Sequence, residues 1–182
     1  AMFSGAGTTG AVASKLTNVG GGFAPPTAIG PNHRTADLLV GDFDGDGDRD
    51  VLQVGSSSAI PTTSVLYRSQ TGGPTVTTGL PFAGWYSAVG DLNGDGTADA
   101  VVGNFVRFFV AGVQTTGPLL PSPLRSPAVL ADLDGDGDLD LIETPATVMM
   151  NLGGGVFGPP ESALPRRSTS AALTDVRSAV VD

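Results

Sequence analysis

The chain repeats one acidic motif three times, and this repeat constrains the fold more than any other feature. The motif reads DFDGDGDRD at 42–50, DLNGDGTAD at 91–99 and DLDGDGDLD at 132–140. The copies begin 49 and 41 residues apart, and a short apolar run precedes and follows each of them. Self-similarity at a period of about 20 to 50 residues is typical of proteins built by repeating one supersecondary unit. We therefore expect three copies of one such unit.

Strands are the predicted content of each unit. Apolar runs of about four to six residues alternate with Gly, Pro, Asn and Asp, and no segment shows a convincing helical period. The unit reads as strand, acidic loop, strand, short turn, third strand, Gly-rich turn and fourth strand. Four strands in roughly 40 to 45 residues is typical of a β-propeller blade. The sequence thus predicts an all-β chain, a β-propeller of about four four-stranded antiparallel blades.

The predicted blades cover approximately residues 24–70, 71–117 and 118–160, and residues 161–182 with 1–23 form a shared fourth blade. The tail from Arg166 lacks Gly and Pro, but SAALTD aligns with PAVLAD and places a degenerate fourth loop at Asp175. Pairing of the two ends would remove exposed strand edges. Three arrangements stay open: a closed four-bladed ring, half of a ring completed by a second copy, or a fragment of a larger propeller. The unfinished last loop favours the latter two.

The acidic loops require a compensating charge. They contain thirteen of the 18 acidic residues, and alternate carboxylates repel one another by roughly 1 kcal/mol per pair even in water. Ca²⁺ takes about six to eight oxygen ligands, and residues 1, 3 and 5 of a tight loop can direct their side chains to one point. Glycines such as Gly45 and Gly47 permit the sharp turn. Each loop is therefore a candidate cation site.

The pattern D-x-D-G-D-G-x-x-D between short strands, with a G-x-F element in NVGGGF from Asn18 and NLGGGVF from Asn151, resembles the FG-GAP and VCBS repeats of integrin α-subunit-like β-propellers. The resemblance covers nearly the whole chain from Val12. It implies about three calcium ions, one per loop, held by the side chains at positions 1, 3, 5 and 9 and the main-chain carbonyl at position 7. The implied ligands are Asp42, Asp44, Asp46, Asp50 and the carbonyl of Asp48; Asp91, Asn93, Asp95, Asp99 and the carbonyl of Thr97; and Asp132, Asp134, Asp136, Asp140 and the carbonyl of Asp138.

The second loop differs from the other two because neutral Asn93 stands at position 3 and only three acids remain. Since the number of charged ligands tunes calcium affinity, this loop is expected to release its ion first under chelation. An EF-hand loop also begins D-x-D-x-D-G, but it needs an acid at position 12 and flanking helices. Position 12 is Gln53, Val102 and Glu143, and the flanks are strand-like, so the EF-hand interpretation is set aside.

Composition argues against an enzyme and against two classes of partner. Cysteine is absent and His33 is the only histidine, so thiolate chemistry and multi-histidine metal sites are excluded. No G-x-S-x-G nucleophile motif is present. A net charge of -9 argues against nucleic acid binding. No apolar run is long enough for a membrane helix, so membrane insertion is not expected.

A few other side chains are candidates for ligand contact. His33 lies in a polar connection, where an exposed histidine is the ordinary case. Trp85 and Tyr86 could form an apolar platform for a sugar or a partner, or pack between blades. The remaining candidates are Phe105, Phe108 and Phe109 as a core strand, and Arg166 and Arg167 as a charged turn or a contact for an acidic partner.

These features together predict a secreted or cell-surface recognition module in which calcium is structural. Extracellular calcium is millimolar, a range that suits weakly binding extracellular modules. The expected activity is adhesion, or binding of an extracellular protein or glycan, and self-association to complete a ring is compatible with it. The alternatives are a lectin with sugar pockets between blades, a non-catalytic accessory domain of a secreted enzyme, and a structural array without a ligand.

Overall fold

A computed structural model describes residues 14–15, 19–28, 35–55, 64–69 and 75–162 of the 182-residue chain. These residues contain strands and no helix, which confirms the all-β prediction. Accordingly, they hold no helix of the length and apolar character needed to cross a membrane. The strands are β1 Ser14–Lys15, β2 Thr27–Ala28, β3 Thr35–Gly41, β4 Asp50–Gly55, β5 Ser64–Arg68, β6 Thr75–Leu80, β7 Ser87–Gly90, β8 Asp99–Val102, β9 Phe105–Val110, β10 Val113–Leu119, β11 Ala128–Ala131, β12 Asp140–Glu143, β13 Thr147–Met149 and β14 Glu161–Ser162.

Twelve of these strands form three four-stranded antiparallel sheets, each in simple sequence order. The first sheet is β3-β4-β5-β6, the second is β7-β8-β9-β10 and the third is β11-β12-β13-β14. Strands β1 and β2 pair with each other as a separate two-stranded sheet. In each four-stranded sheet the acidic loop joins the first strand to the second. This is the strand order that the repeat predicts.

The sheets do not coincide with the unit limits predicted from the sequence. They span 35–80, 87–119 and 128–162, so each ends later than its predicted blade. Strand β6 lies beyond residue 70 but pairs with β5, with Tyr67 opposite Val76. Likewise β14, which lies within the predicted shared blade, pairs with β13 of the third sheet. In each case the fourth strand forms a hairpin with the third strand, and this pairing places it in the same sheet. Residues 1–13, 16–18 and 163–182 of the predicted shared blade lie outside the described residues.

Two hydrophobic cores lie between the three sheets, and each is formed by side chains of two successive sheets. The first contains side chains of the first and second sheets, among them Phe43, Leu52 and Phe109, which are fully buried. The second joins the second sheet to the third through residues such as Val101 and Leu141. Neighbouring residues of β8 point to opposite faces, so the middle sheet is covered on both faces. The first strand of the middle sheet, β7, contacts the first strands of the other two sheets, β3 on one side and β11 on the other.

Glycine permits the close approach of successive sheets. A Cβ atom at Gly41, the last residue of β3, would lie 2.6 Å from the Cβ of Ala98. The corresponding residue of the second sheet, Gly90, faces Leu139 of the third, and a Cβ there would lie 2.7 Å from a Leu139 methyl. The same contact thus recurs at both interfaces. A hydrogen bond of 2.7 Å from the Ala98 amide to the Asp42 carbonyl joins the first two loops beside it.

Candidate metal centres

The three acidic loops share one backbone conformation. Each connects the first strand of a sheet to the second, and the glycines at positions 4 and 6 have positive φ angles in every copy. The angles are 75° to 82° at position 4 and 88° to 95° at position 6. Because L side chains rarely adopt this region, glycine is required there. The residues are Gly45, Gly94 and Gly135 at position 4 and Gly47, Gly96 and Gly137 at position 6.

The first aspartate of each loop organises the turn. One carboxylate oxygen of Asp42 accepts a hydrogen bond from the Gly45 amide at 2.7 Å, and the other accepts one from the Gly47 amide at 2.9 Å. Asp91 and Asp132 make the equivalent pairs of hydrogen bonds, with lengths of 2.8 and 2.8 Å and of 2.7 and 3.2 Å. The loop backbone is therefore held by a carboxylate in each unit.

The ninth aspartate is fully buried in all three loops, at Asp50, Asp99 and Asp140. One oxygen of Asp50 accepts from the amide of loop residue Phe43 at 3.0 Å, and the other accepts from the amide of Ser69 at 2.7 Å. Ser69 directly follows the third strand of that sheet. The equivalent donors are Leu92 and Phe109 for Asp99, and Leu133 and Asn151 for Asp140. The ninth side chain thus joins the loop to the third strand of its sheet.

Two of the loops bring three carboxylates close enough to hold one ion. Ligand oxygens of Asp42, Asp44 and Asp50 lie within 4.8 Å of one another in the first loop. In the third loop the same is true of Asp132, Asp134 and Asp136 (the fourth side chain implied for each site, Asp46 and Asp140, is outside these groups). An all-oxygen donor set of this kind suits a hard cation such as Ca²⁺ or Mg²⁺.

The second loop compensates its charges within itself. The side-chain amide of Asn93 donates to Asp95 at 3.1 Å, and the hydroxyl of Thr97 donates to the other oxygen of Asp95 at 2.6 Å. Burial has the largest single effect on Asp95 and raises its pKa, but the hydrogen bonds from the Thr97 hydroxyl, the Thr97 amide and the Asn93 side chain together outweigh it and hold the pKa below its usual range. No group of three carboxylates is gathered here among the described residues. The weaker site expected from the sequence stays a prediction.

The residues at position 7 take part through their backbone amides. The amides of Asp48, Thr97 and Asp138 each donate to the position-5 carboxylate at 2.8 to 2.9 Å. The side chain of Asp48 is exposed, as expected for a residue whose main chain alone is implied as a ligand. Together with the first and ninth aspartates, these bonds produce the same frame three times.

Burial changes the acidity of two of these carboxylates, Asp50 and Asp99. It raises the pKa of Asp50, against the hydrogen bonds from Ser69 and Phe43. It raises the pKa of Asp99 to about 6, although the amides of Phe109 and Leu92 favour the ionised form. Burial therefore outweighs hydrogen bonding at both residues. A cation next to these carboxylates would favour their ionised form and oppose the effect of burial.

Metal-free protein should accordingly lose stability as the pH rises from about 4 to about 6. In this window the folded protein binds more protons at Asp99 than the unfolded chain, whose pKa is near 3.8, so stability falls with rising pH. We expect a loss of about 1 to 2 kcal/mol. This is less than the whole pKa shift would give at about 1.4 kcal/mol per unit, because the adjoining loop is open to solvent. Urea unfolding in chelator at several pH values measures it. Asp99→Asn should flatten the profile; an unchanged profile in that variant would contradict the assignment.

The other sequence candidates have varied environments. Trp85 is 59% exposed, as a contact platform requires, whereas Tyr86 packs against the second core. Of the three phenylalanines of β9, only Phe109 is fully buried, so the prediction of a core strand is correct only in part. Phe105 is 36% exposed. His33, Arg166, Arg167 and Asp175 lie outside the described residues.

Sequence reasoning missed two residues next to the loops. Asn151 donates from its side-chain amide to the Leu92 carbonyl of the second loop at 3.1 Å and to the Leu139 carbonyl of the third loop at 3.4 Å, which joins the two loops. Arg68, at the end of β5, lies beside the first loop, with its Nη1 4.0 Å from an Asp44 carboxylate oxygen. Aligning the third strands of the units, rather than the acidic loops alone, would have drawn attention to both positions.

Comparisons with known proteins do not assign the chain to a family. No family model matches it, and neither the curated proteins nor the solved structures give a significant match. The threefold loop geometry is therefore the basis for any statement about function.

Proposed function

We propose that this protein is a calcium-binding module of the FG-GAP/VCBS type, in which calcium stabilises a non-catalytic extracellular recognition domain. The observation that carries the proposal is the repeated frame of the three loops. The same two aspartates, at positions 1 and 9, organise the backbone in each copy, and carboxylate oxygens gather within 4.8 Å in two of them. Chance turns rich in Asp and Gly would not be expected to reproduce this geometry.

The side chains that would hold the ions are those at positions 1, 3, 5 and 9, with the carbonyl at position 7. Calcium would supply positive charge to a cluster of acids and fix the loop against the third strand through the ninth aspartate. The residues present fit such an ion because their donors are all oxygen. The role is structural: the ion would relieve carboxylate repulsion and remove the cost of burying the charge on Asp50, Asp99 and Asp140.

The arrangement of the sheets favours a β-propeller. Successive four-stranded meanders pack face to face, and their first strands lie next to one another. The glycine contact at Gly41 recurs at Gly90, which is consistent with a regular rotation between blades. We propose about four blades in this chain, either as a closed ring or as part of a larger one completed by self-association.

Recognition of an extracellular protein or glycan is the activity we propose for such a domain. The exposed indole of Trp85 is the described side chain that most favours a glycan, since an exposed aromatic face can stack on a sugar ring. A glycan array probed with and without chelator distinguishes a lectin from a protein adhesion module. The Trp85→Ala variant should abolish glycan signals if this surface binds them.

Calcium should raise the stability of chelator-stripped protein. An ion that binds only the folded state stabilises it by mass action. At 1 mM calcium, dissociation constants of about 0.1 to 1 mM give roughly 0.4 to 1.4 kcal/mol per site. Thermal unfolding during a Ca²⁺ titration, with Mg²⁺ as the control ion, measures the effect. If neither ion changes the melting temperature, the loops are solvated turns and the proposal fails.

A further inference from the structure

Arg68 distinguishes the first acidic loop from the other two. In each sheet the residue after the ninth aspartate, at position 10, pairs with a residue of the third strand. These pairs are Val51 with Tyr67, Ala100 with Arg107 and Leu141 with Met149. The next residues along the chain are therefore equivalent. They are Arg68, Phe108 and Met150. The first loop thus has a positively charged side chain beside it, at a position where the other two units have uncharged side chains.

The environment of Arg68 fixes its guanidinium near the loop. Its Nη1 lies 4.0 Å from an oxygen of Asp44, the position-3 residue, and the two side chains are only 24% and 7% exposed. On its other side the guanidinium lies over Gly112, where a Cβ atom would approach the Arg68 Cδ to 2.6 Å and Nη1 to 2.8 Å. The amide of Gly112 in turn donates to the Phe43 carbonyl of the loop at 3.1 Å. Arg68 is therefore held between the first loop and the neighbouring sheet.

We propose that Arg68 is a built-in counter-ion that weakens calcium binding at the first loop and stabilises that loop when no ion is bound. The inference rests on the proposed calcium function. The first and third loops have five aspartates each, so the number of acids alone gives them similar affinities. A positive charge 4.0 Å from Asp44 repels an incoming divalent ion and already balances part of the carboxylate charge. The third loop therefore fills at lower calcium concentration than the first.

The test measures each loop separately in the whole chain. In ¹⁵N-labelled protein, the amides of Gly47, Gly96 and Gly137 report calcium binding at the first, second and third loops. In the unsubstituted protein the midpoint at Gly47 should lie at higher calcium than that at Gly137. Arg68→Met, which introduces the residue type of the third unit, should lower the Gly47 midpoint roughly three- to tenfold, as expected for removing one partly screened charge. The midpoints at Gly96 and Gly137 should stay unchanged.

Two further variants separate charge from packing. Arg68→Lys keeps the positive charge and should leave the Gly47 midpoint near that of the unsubstituted protein. Met150→Arg places a cation beside the third loop and should raise the Gly137 midpoint, which tests the idea even if Arg68→Met does not fold. In chelator, Arg68→Met should also melt at lower temperature than Arg68→Lys, since only lysine retains a counter-charge for Asp44.

Several results would overturn the inference. Equal Gly47 and Gly137 midpoints in the unsubstituted protein, or equal shifts in Arg68→Met and Arg68→Lys, would show that the charge of Arg68 does not control the first loop. In those cases calcium still binds and the proposed function is retained. No response at any of the three glycines would instead remove the calcium function, and this inference with it.

Discussion

Replacing Asp50 with alanine should lower the free energy of unfolding by roughly 1 to 4 kcal/mol in chelator. The fully buried carboxylate accepts hydrogen bonds from the amides of Phe43 and Ser69. Its removal leaves the buried Phe43 amide without this partner, at a cost of about 1 to 3 kcal/mol. The loss at Ser69 is smaller because that residue is exposed and water can replace the bond. The combined loss outweighs the gain from removing a carboxylate whose pKa burial raises. Urea unfolding of the metal-free protein measures the change.

Asp48→Ala provides the matched control for this experiment. It removes the same side chain and the same charge two residues away, but Asp48 is exposed and contributes its backbone amide to the loop. We expect its stability to change by less than about 0.5 kcal/mol. Equal losses in the two variants would mean that general charge effects, rather than the buried hydrogen bonds, govern the stability of the loop.

Gly41→Ala should destabilise the protein by about 1 to 3 kcal/mol, the usual cost of overpacking a tight interface. The new methyl group would lie 2.6 Å from the Cβ of Ala98 and 3.3 Å from a methyl of Val89. A Cβ cannot rotate away as the end of a long side chain can, so the sheets must move apart. Thermal and urea unfolding both measure this effect.

A compensating substitution tests the geometry of that contact. In the double variant Gly41→Ala with Ala98→Gly, the methyl group moves from one side of the interface to the other, and most of the lost stability should return. Gly22→Ala is the control, because nothing lies within 4 Å of a Cβ there and its φ is not positive. If the double variant is as unstable as the sum of its single variants, this contact does not set the spacing of the sheets.

The sequence was sufficient to predict the strand order of each sheet and the position of each acidic loop. Both follow from local rules: apolar runs bounded by Gly and Asp form strands, and glycines such as Gly45 and Gly47 permit turns with positive φ. The first aspartate of each loop was predicted as a calcium ligand, which stays a prediction, whereas its hydrogen bonds to the loop amides, such as those of Asp42 with Gly45 and Gly47, are a finding of the structure. Its contacts lie within five positions along the chain, where spacing alone is informative.

Long-range features could not be read from one loop at a time. Pairing of β6 with β5 depends on a hairpin whose register the unit spacing does not encode, so the unit limits were placed too early. The buried carboxylate of Asp50 accepts a hydrogen bond from the amide of Ser69, 19 residues away. Arg68 was overlooked for the same reason, because its proximity to Asp44 arises from strand pairing and from the absence of a side chain at Gly112.

The two-faced burial of β8 has a consequence for how the molecule comes apart. Ala100 and Val102 belong to one core and Val101 to the other, so opening the middle sheet breaks both interfaces at once, whereas opening the first sheet breaks one of these two. Local opening is therefore most costly at the centre, as in arrays whose units are stabilised by their nearest neighbours. A substitution that disrupts the first acidic loop therefore weakens the interface between the first and second sheets directly. The interface between the second and third sheets keeps its own contacts.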